Sequence, residues 1–151
     1  MQLRIAKVAK DLRVYLAGKF ETKPALVEYA KLLEEIPGIR VTSRWLSDDH
    51  KFSSGNPNIH ADENRKEAEN EALVDLADIR HCDVMVVIGY GCKEGTSGRS
   101  FEAGYATALG KYVIYVGDPE HIFGYLPGAL RCTRFDTVET LLRGLLKGVS
   151  R

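Results

Sequence analysis

Apolar and polar positions along the chain switch repeatedly between two periods. Residues 13–17, RVYLA, are a short β-rich run that stops at Gly18. Residues 25–35 change to helical spacing, with Leu26, Tyr29, Leu32 and Leu33 on one face. Pro37 and Gly38 end that helix. Residues 39–46, IRVTSRWL, alternate enough to predict a second strand. Residues 47–60 are polar and carry glycine and proline, which predicts a long loop of the functional or mobile kind. Residues 61–82 predict a long charged helix whose apolar face is Ala68, Ala72, Leu76 and Ile79, with Leu73 alongside. Residues 83–91, DVMVVIGYG, form a continuous apolar run that stops at glycine, as a buried parallel strand does. A glycine-rich loop and another helix follow. Residues 111–119, KYVIYVGDP, predict a further buried strand ended by Asp118-Pro119. Residues 120–130 are an aromatic, proline-containing connection, residues 131–135 a fifth strand and residues 137–147 the last helix.

Strands alternate with helices throughout, and the apolar runs lack strict alternation. This predicts an α/β fold, a parallel sheet covered on both faces. Five strands suggest the doubly wound, flavodoxin-like or Rossmann-like order 2-1-3-4-5. The 151 residues suffice for one domain with a real core, and no repeat, low-complexity segment or second domain is visible. Residues 1–12 read as an amphipathic lead-in, basic but broken by charges, and not as a secretory signal.

Composition narrows the function classes. Lysine plus arginine equals aspartate plus glutamate at 21 each, which gives no support for a general attraction to nucleic acid. No apolar run approaches a membrane span, so no membrane partner is expected. Cys82, Cys92 and Cys132 form no CxxC pair and no disulfide framework, which fits a reducing cytoplasm. His50, His60, His81 and His121 show no zinc spacing, and neither a metal nor an organic cofactor is implied.

In a doubly wound sheet the ligand lies beyond the carboxyl ends of the strands, where strand order reverses. Two loops flank that point: Gly18-Lys19-Phe20 after the first strand, and residues 89–100 after the third. The second loop holds Thr96, Ser97, Gly98, Arg99 and Ser100. Ser100 is a plausible helix N-cap, and free amides at a helix start attract anions. Glu102 would then lie in the first helical turn, where the helix dipole favours its ionised form. The small residues Ala103, Gly104, Ala106, Ala108 and Gly110 suggest a helix pressed against the sheet. A helix-forming role for Glu102 is the alternative to a nucleophile or a ligand for sugar hydroxyls. The glycines miss the GxGxxG spacing of a dinucleotide site.

The motifs VYLAGKF at 14–20 and GRSFEAGYATALGKYVIYV at 98–116 resemble the nucleoside 2-deoxyribosyltransferase superfamily, which includes N-glycosidases of 2′-deoxynucleoside 5′-monophosphates. The resemblance covers about residues 13–118. It implies cleavage of an N-glycosidic bond in a small nucleoside or nucleotide, with Glu102 as nucleophile. It also implies an aspartate eight residues before the residue that opens the third strand, here Asp75, to protonate or hold the departing base. Asp78 is the rival, and a solvated helix face is the alternative for both. Family members are dimers or larger, and a neighbouring subunit often completes the site from the loop after strand four. Here that implies a homodimer or higher oligomer contacting through residues 118–128, with Phe123 and Tyr125 exposed.

Two departures bear on substrate. Transferases of this family that use free nucleosides carry a carboxylate six residues before the nucleophile, where this chain has Thr96. Thr96, Ser97, Gly98 and Ser100 look more like a phosphate cradle, although the same residues also make an ordinary turn. Lys19 adds a cation where many members have proline. Tyr15 and Arg99 are further candidates to line the pocket: Tyr15 is otherwise core, and Arg99 either grips phosphate or pairs with an acid. Trp45 either stacks on a base or packs, and His50 and His60 lie in a loop able to close over the site. The reading is an N-glycosidase of (deoxy)nucleoside 5′-monophosphates. Its rivals are a transferase exchanging bases between deoxynucleosides and a non-catalytic nucleotide-binding sensor.

Overall fold

The structure, a computed structural model, describes residues 11–47, 51–52, 57–89 and 97–149. Five strands form one all-parallel sheet: β1 (Leu12–Ala17), β2 (Ile39–Val41), β3 (Val84–Ile88), β4 (Tyr112–Val116) and β5 (Leu130–Cys132). Their order is β2-β1-β3-β4-β5, as the alternating pattern predicts. The helices are α1 (Lys23–Glu34), α2 (Arg65–His81), α3 (Ser97–Ala108) and α4 (Asp136–Val149). Right-handed crossovers put α1 on one face of such a sheet, and α2 and α3 on the other. Tyr29 of α1 stacks on Phe135, just before α4, with ring centroids 3.9 Å apart. That contact brings α4 to the α1 face.

β1 and β3 are buried on both faces, which is why they read as unbroken apolar runs. Val14, Tyr15, Leu16, Met85 and Val86 are fully enclosed. At the amino ends of these strands Arg13 and Asp83 form a two-pronged pair, Nε to Oδ2 at 3.1 Å and Nη2 to Oδ1 at 2.9 Å. Asp83 Oδ2 also accepts from the Arg13 amide at 2.9 Å, so one carboxylate fixes the start of both strands. The carboxyl ends, where β1 and β3 feed opposite faces, are left to form a crevice.

Several boundaries differ from the sequence pattern. β2 ends at Val41, and Arg44–Leu46 is a single helical turn instead of strand. Here Trp45 turns inward and donates from Nε1 to the Leu16 carbonyl at 2.7 Å. Ser43 Oγ accepts from the Leu16 amide at 2.6 Å, so side chains replace the strand ladder. α2 begins at Arg65, after short helical turns at Pro57–His60 and Asp62–Asn64. β5 starts at Leu130 and ends at Cys132, since residues 133–135 lead directly into α4.

Candidate active site

The crevice at the carboxyl ends of β1 and β3 is a cavity of about 420 Å³. Gly18, Lys19 and Phe20 form one side, after β1. Asp75 comes from α2, and Gly98, Arg99 and Glu102 come from α3. A chain of separate elements therefore brings the two predicted carboxyls to one pocket. Gly18 is needed for the turn's packing: a Cβ there would stand 2.4 Å from Leu26 Cδ1.

Glu102 lies lower in its helix than the sequence suggests. α3 starts at Ser97, which puts Glu102 in the second turn and takes Ser100 out of the N-cap position. The dipole favours ionisation only near a helix end, and burial prevails here. Glu102 is pushed up to about 7 by burial, against the hydrogen bond from Tyr15 and the charge of Arg99, which both pull it down. Tyr15 is fully buried and donates its hydroxyl to Glu102 Oε1 at 2.7 Å. It stands behind the nucleophile candidate and does not line the cavity. Burial, together with the charge of Glu102, drives the Tyr15 phenol well above its ordinary value.

Asp75 is pushed higher still, to about 8, first by burial and then by the charges of Glu102, Asp78 and Glu71. Arg44 opposes the shift. Both carboxyls are thus held well above their ordinary values and keep a proton into the neutral range. The two are coupled, so their titration belongs to the pair.

Asp78 does not join the cavity. It is buried at 5% exposure and takes the Arg44 amide at 2.9 Å and the Arg44 Nε at 2.8 Å. Its work is to hold the turn after β2 against α2. Arg99 takes the acid-pairing reading: its guanidinium, 3% exposed, bonds Glu120 and the Ile88 carbonyl. Only the rest of Arg99 is available to the cavity, so it is not a phosphate clamp. Ser100 also turns away, with Oγ donating to Glu120 Oε2 at 3.2 Å. Thr96 and His50 lie outside the described residues, as does the side chain of Ser97. His60 is exposed and does not line the cavity, and Trp45, 6% exposed, packs while its edge reaches the cavity wall.

The small-residue face of α3 is also narrower than expected. Ala103 and Ala106 are buried, but Gly104, Ala108 and Gly110 are exposed, and a Cβ at Gly104 would meet nothing.

The sequence reading missed much of the wall. Glu21, Phe52, Ile59, Glu71 and Phe101 line the cavity, and so do Ala68, Ala72 and Leu76. The last three belong to the apolar face that the sequence predicts for this helix. Asp75 interrupts that stripe, which was the available signal that it borders a ligand site. Among the described residues no group of three His, Cys, Asp or Glu is placed to hold a metal. No described helix is long and apolar enough to cross a membrane.

The family model for nucleoside 2-deoxyribosyltransferase matches residues 14–138. The chain belongs to that family. The match runs beyond the two motifs, through β5 and into α4, and makes this nucleoside 2-deoxyribosyltransferase family member a glycosidase or pentosyltransferase. Its fold is similar to that of the Clostridium botulinum CMP N-glycosidase BcmB. The two are 18% identical over 87% of this chain and 98% of that one, with a TM-score of 0.53. A 2-desoxiribosyltransferase from Leishmania mexicana is also similar, at 18% identity over 89% and 97% of the two chains, with a TM-score of 0.46. No curated protein matches the chain in sequence.

Proposed function

We propose that this protein is an N-glycosidase of (deoxy)nucleoside 5′-monophosphates, working through a covalent glycosyl-enzyme on Glu102. The observation that carries the reading is the pair of carboxyls on one cavity, Asp75 raised to about 8 and Glu102 to about 7, with a tyrosine hydrogen bond on Glu102. Ionised Glu102 attacks the anomeric carbon and the C1′–N bond breaks. Asp75 gives its proton to the departing base, which leaves slowly as an anion. Water then attacks the same carbon, Asp75 takes a proton from it, and Glu102 leaves as carboxylate. Two displacements retain the anomeric configuration.

Lys19 and the start of α3 support the phosphate end of the substrate. The first four amides of an α-helix have no partner inside it. Here those within the described helix belong to residues 97–99, of which Gly98 and Arg99 border the cavity. The hydroxyls of Thr96 and Ser97 remain candidates for the same role.

One observation favours a second reading. The aromatic wall of Phe20, Trp45, Phe52 and Phe101 suits a second base resting beside the glycosyl-enzyme, which would make the protein a base-exchanging transferase. A homo-oligomer would cover Phe123 and Tyr125, which are 62% and 58% exposed.

The test is chromatography of products from ribo- and deoxynucleosides and their 5′-monophosphates, with and without a free acceptor base. Base released only from monophosphates supports the hydrolase. A new nucleoside formed only with acceptor makes it a transferase. Glu102→Gln should stop either reaction and leave binding intact. Binding without turnover in the unmodified protein would make it a sensor.

A further inference from the structure

Glu71 stands one helical turn before Asp75 on α2 and borders the same cavity. Its two carboxylate oxygens are both engaged by consecutive backbone amides from another part of the chain. Oε1 accepts from the Lys51 amide at 2.7 Å, and Oε2 accepts from the Phe52 amide at 2.9 Å. A carboxylate that takes two successive amides fixes direction as well as distance, and such charge-assisted bonds are the strong ones. One turn earlier on the same helix, Glu67 takes the Lys51 Nζ at 3.0 Å. Residues 51–52 are therefore tied to α2 at two levels.

The consequence lies in Phe52. Its backbone is held by Glu71, and its half-buried side chain lines the cavity beside Ile59, Ala68 and Ala72. Asp75 follows on the next turn, so this apolar wall stands at the end of the cavity where the base departs.

We infer that Glu71 is a positioning residue that seats Phe52 against the base end of the cavity, and that Phe52 thereby sets which leaving bases the site accepts. The inference rests on the N-glycosidic reading above. A planar base against an aromatic wall gains by contact in proportion to its area, so the wall discriminates two-ring from one-ring bases. Loss of one aromatic contact to a base is worth about tenfold in binding. Removing the tether frees Phe52 and forfeits the same discrimination without touching the ring itself.

The experiment compares Phe52→Ala, Glu71→Ala and the double variant with the unmodified enzyme on matched purine and pyrimidine substrates. Each single variant should lower the purine-to-pyrimidine ratio of kcat/KM by about two- to fivefold, the part of the roughly tenfold contact that the larger ring system loses in excess. Both should act in the same direction, mainly through KM, and the double variant should add little, because the two side chains act as one unit. Glu71→Gln keeps one acceptor oxygen and should fall between. Glu67→Gln, which removes the Lys51 Nζ partner and leaves both amide bonds, should keep the ratio. Additive effects, or an equal loss for every substrate, overturn the proposal. So does a Glu67→Gln ratio that matches Glu71→Ala.

Amide exchange tests the tether without any substrate. The Lys51 and Phe52 amides should be protected in the unmodified protein and exchange at least tenfold faster in Glu71→Ala. Equal exchange overturns the tether. If no nucleoside or nucleotide yields free base with the unmodified enzyme, the functional reading fails separately. Calorimetry with free adenine and cytosine then decides: selective binding lost in both single variants supports the wall, and unchanged binding overturns it.

Discussion

The hydroxyl of Tyr15 on β1 donates to Oε1 of Glu102 on α3 at 2.7 Å, joining groups 87 residues apart in the chain. It is a hydrogen bond to the ionised form of a buried carboxyl, and it pulls Glu102 down while burial pushes it up. Tyr15→Phe keeps the ring and deletes the bond. Hydrogen bonds to charged groups are worth about 1.5–3 kcal/mol, so the Glu102 midpoint should climb by about one to two pH units from about 7. Below that midpoint the rate should fall about ten- to a hundredfold. A pH–rate profile that keeps its acidic limb in place would remove Tyr15 from the catalytic arrangement.

The unmodified enzyme should show a bell-shaped pH profile. The nucleophile must be ionised, so activity rises as pH passes about 7. The acid must be protonated, so activity falls as pH passes about 8. The two limbs are close, and the optimum should be narrow. Asp75→Asn removes the acid; kcat should drop by about 10² to 10⁴ and the basic limb should vanish. Activated substrates whose leaving group needs no proton should lose far less. A flat response above pH 8 in the unmodified enzyme would argue against Asp75 as the acid.

Stability should move in the opposite sense from ionisation. Both Asp75 and Glu102 have folded values above their ordinary 3.8 and 4.5. Their contribution to stability is complete below those ordinary values and is lost as pH rises through about 7 and 8. Thermal melts should therefore fall from about pH 4 to about pH 8 and level off above it. At the upper end Asp75→Asn should be more stable than the unmodified protein by about 1–2 kcal/mol. Melting temperatures that rise with pH over this window would contradict the burial of these carboxyls.

Arg99 and Glu120 should prove structural. The guanidinium is 3% exposed and Glu120 23%, so removal of the acid leaves a buried charge with the Ile88 carbonyl. Breaking a buried pair from one side costs about 3–5 kcal/mol. Glu120→Ala should lower stability toward that range in chemical denaturation. Arg99 also helps hold Glu102 down, so the acidic limb of Arg99→Met should shift upward.

Gly18→Ala tests the turn that carries Lys19 and Phe20. The added methyl would meet Leu26 Cδ1 at 2.4 Å and Thr22 Oγ1 at 3.2 Å. Leu26 is fully buried and has little room to move. Overpacking of this kind costs about 1–3 kcal/mol, and substrate KM should rise as the cavity wall shifts. Unchanged stability and KM would mean the turn adapts without effect on the site.

Much of the architecture was legible along the chain. Unbroken apolar runs such as VMVVI mark strands buried on both faces, and Leu26 and Leu33 mark a helix laid on a sheet. These patterns are local, because burial on one face or two imposes its own period on successive residues. They suffice for strand order and for a crevice beyond β1 and β3. Glu102 and Asp75 could be named as candidates through the family resemblance that the motifs carry. What they touch could not.

Tertiary structure decided those partners. Asp75 and Asp78 differ by three positions on one helix, yet one faces the cavity and the other is consumed by Arg44. Arg99 was open to phosphate in the sequence and is taken by Glu120 in the fold. Ala68, Ala72 and Leu76 had the spacing of a core stripe and line a ligand cavity instead. Sequence periodicity states that a face is apolar. Whether a sheet, a base or a distant charge meets that face depends on the packing of elements far apart in the chain, as do the burial and charge that set each carboxyl's ionisation.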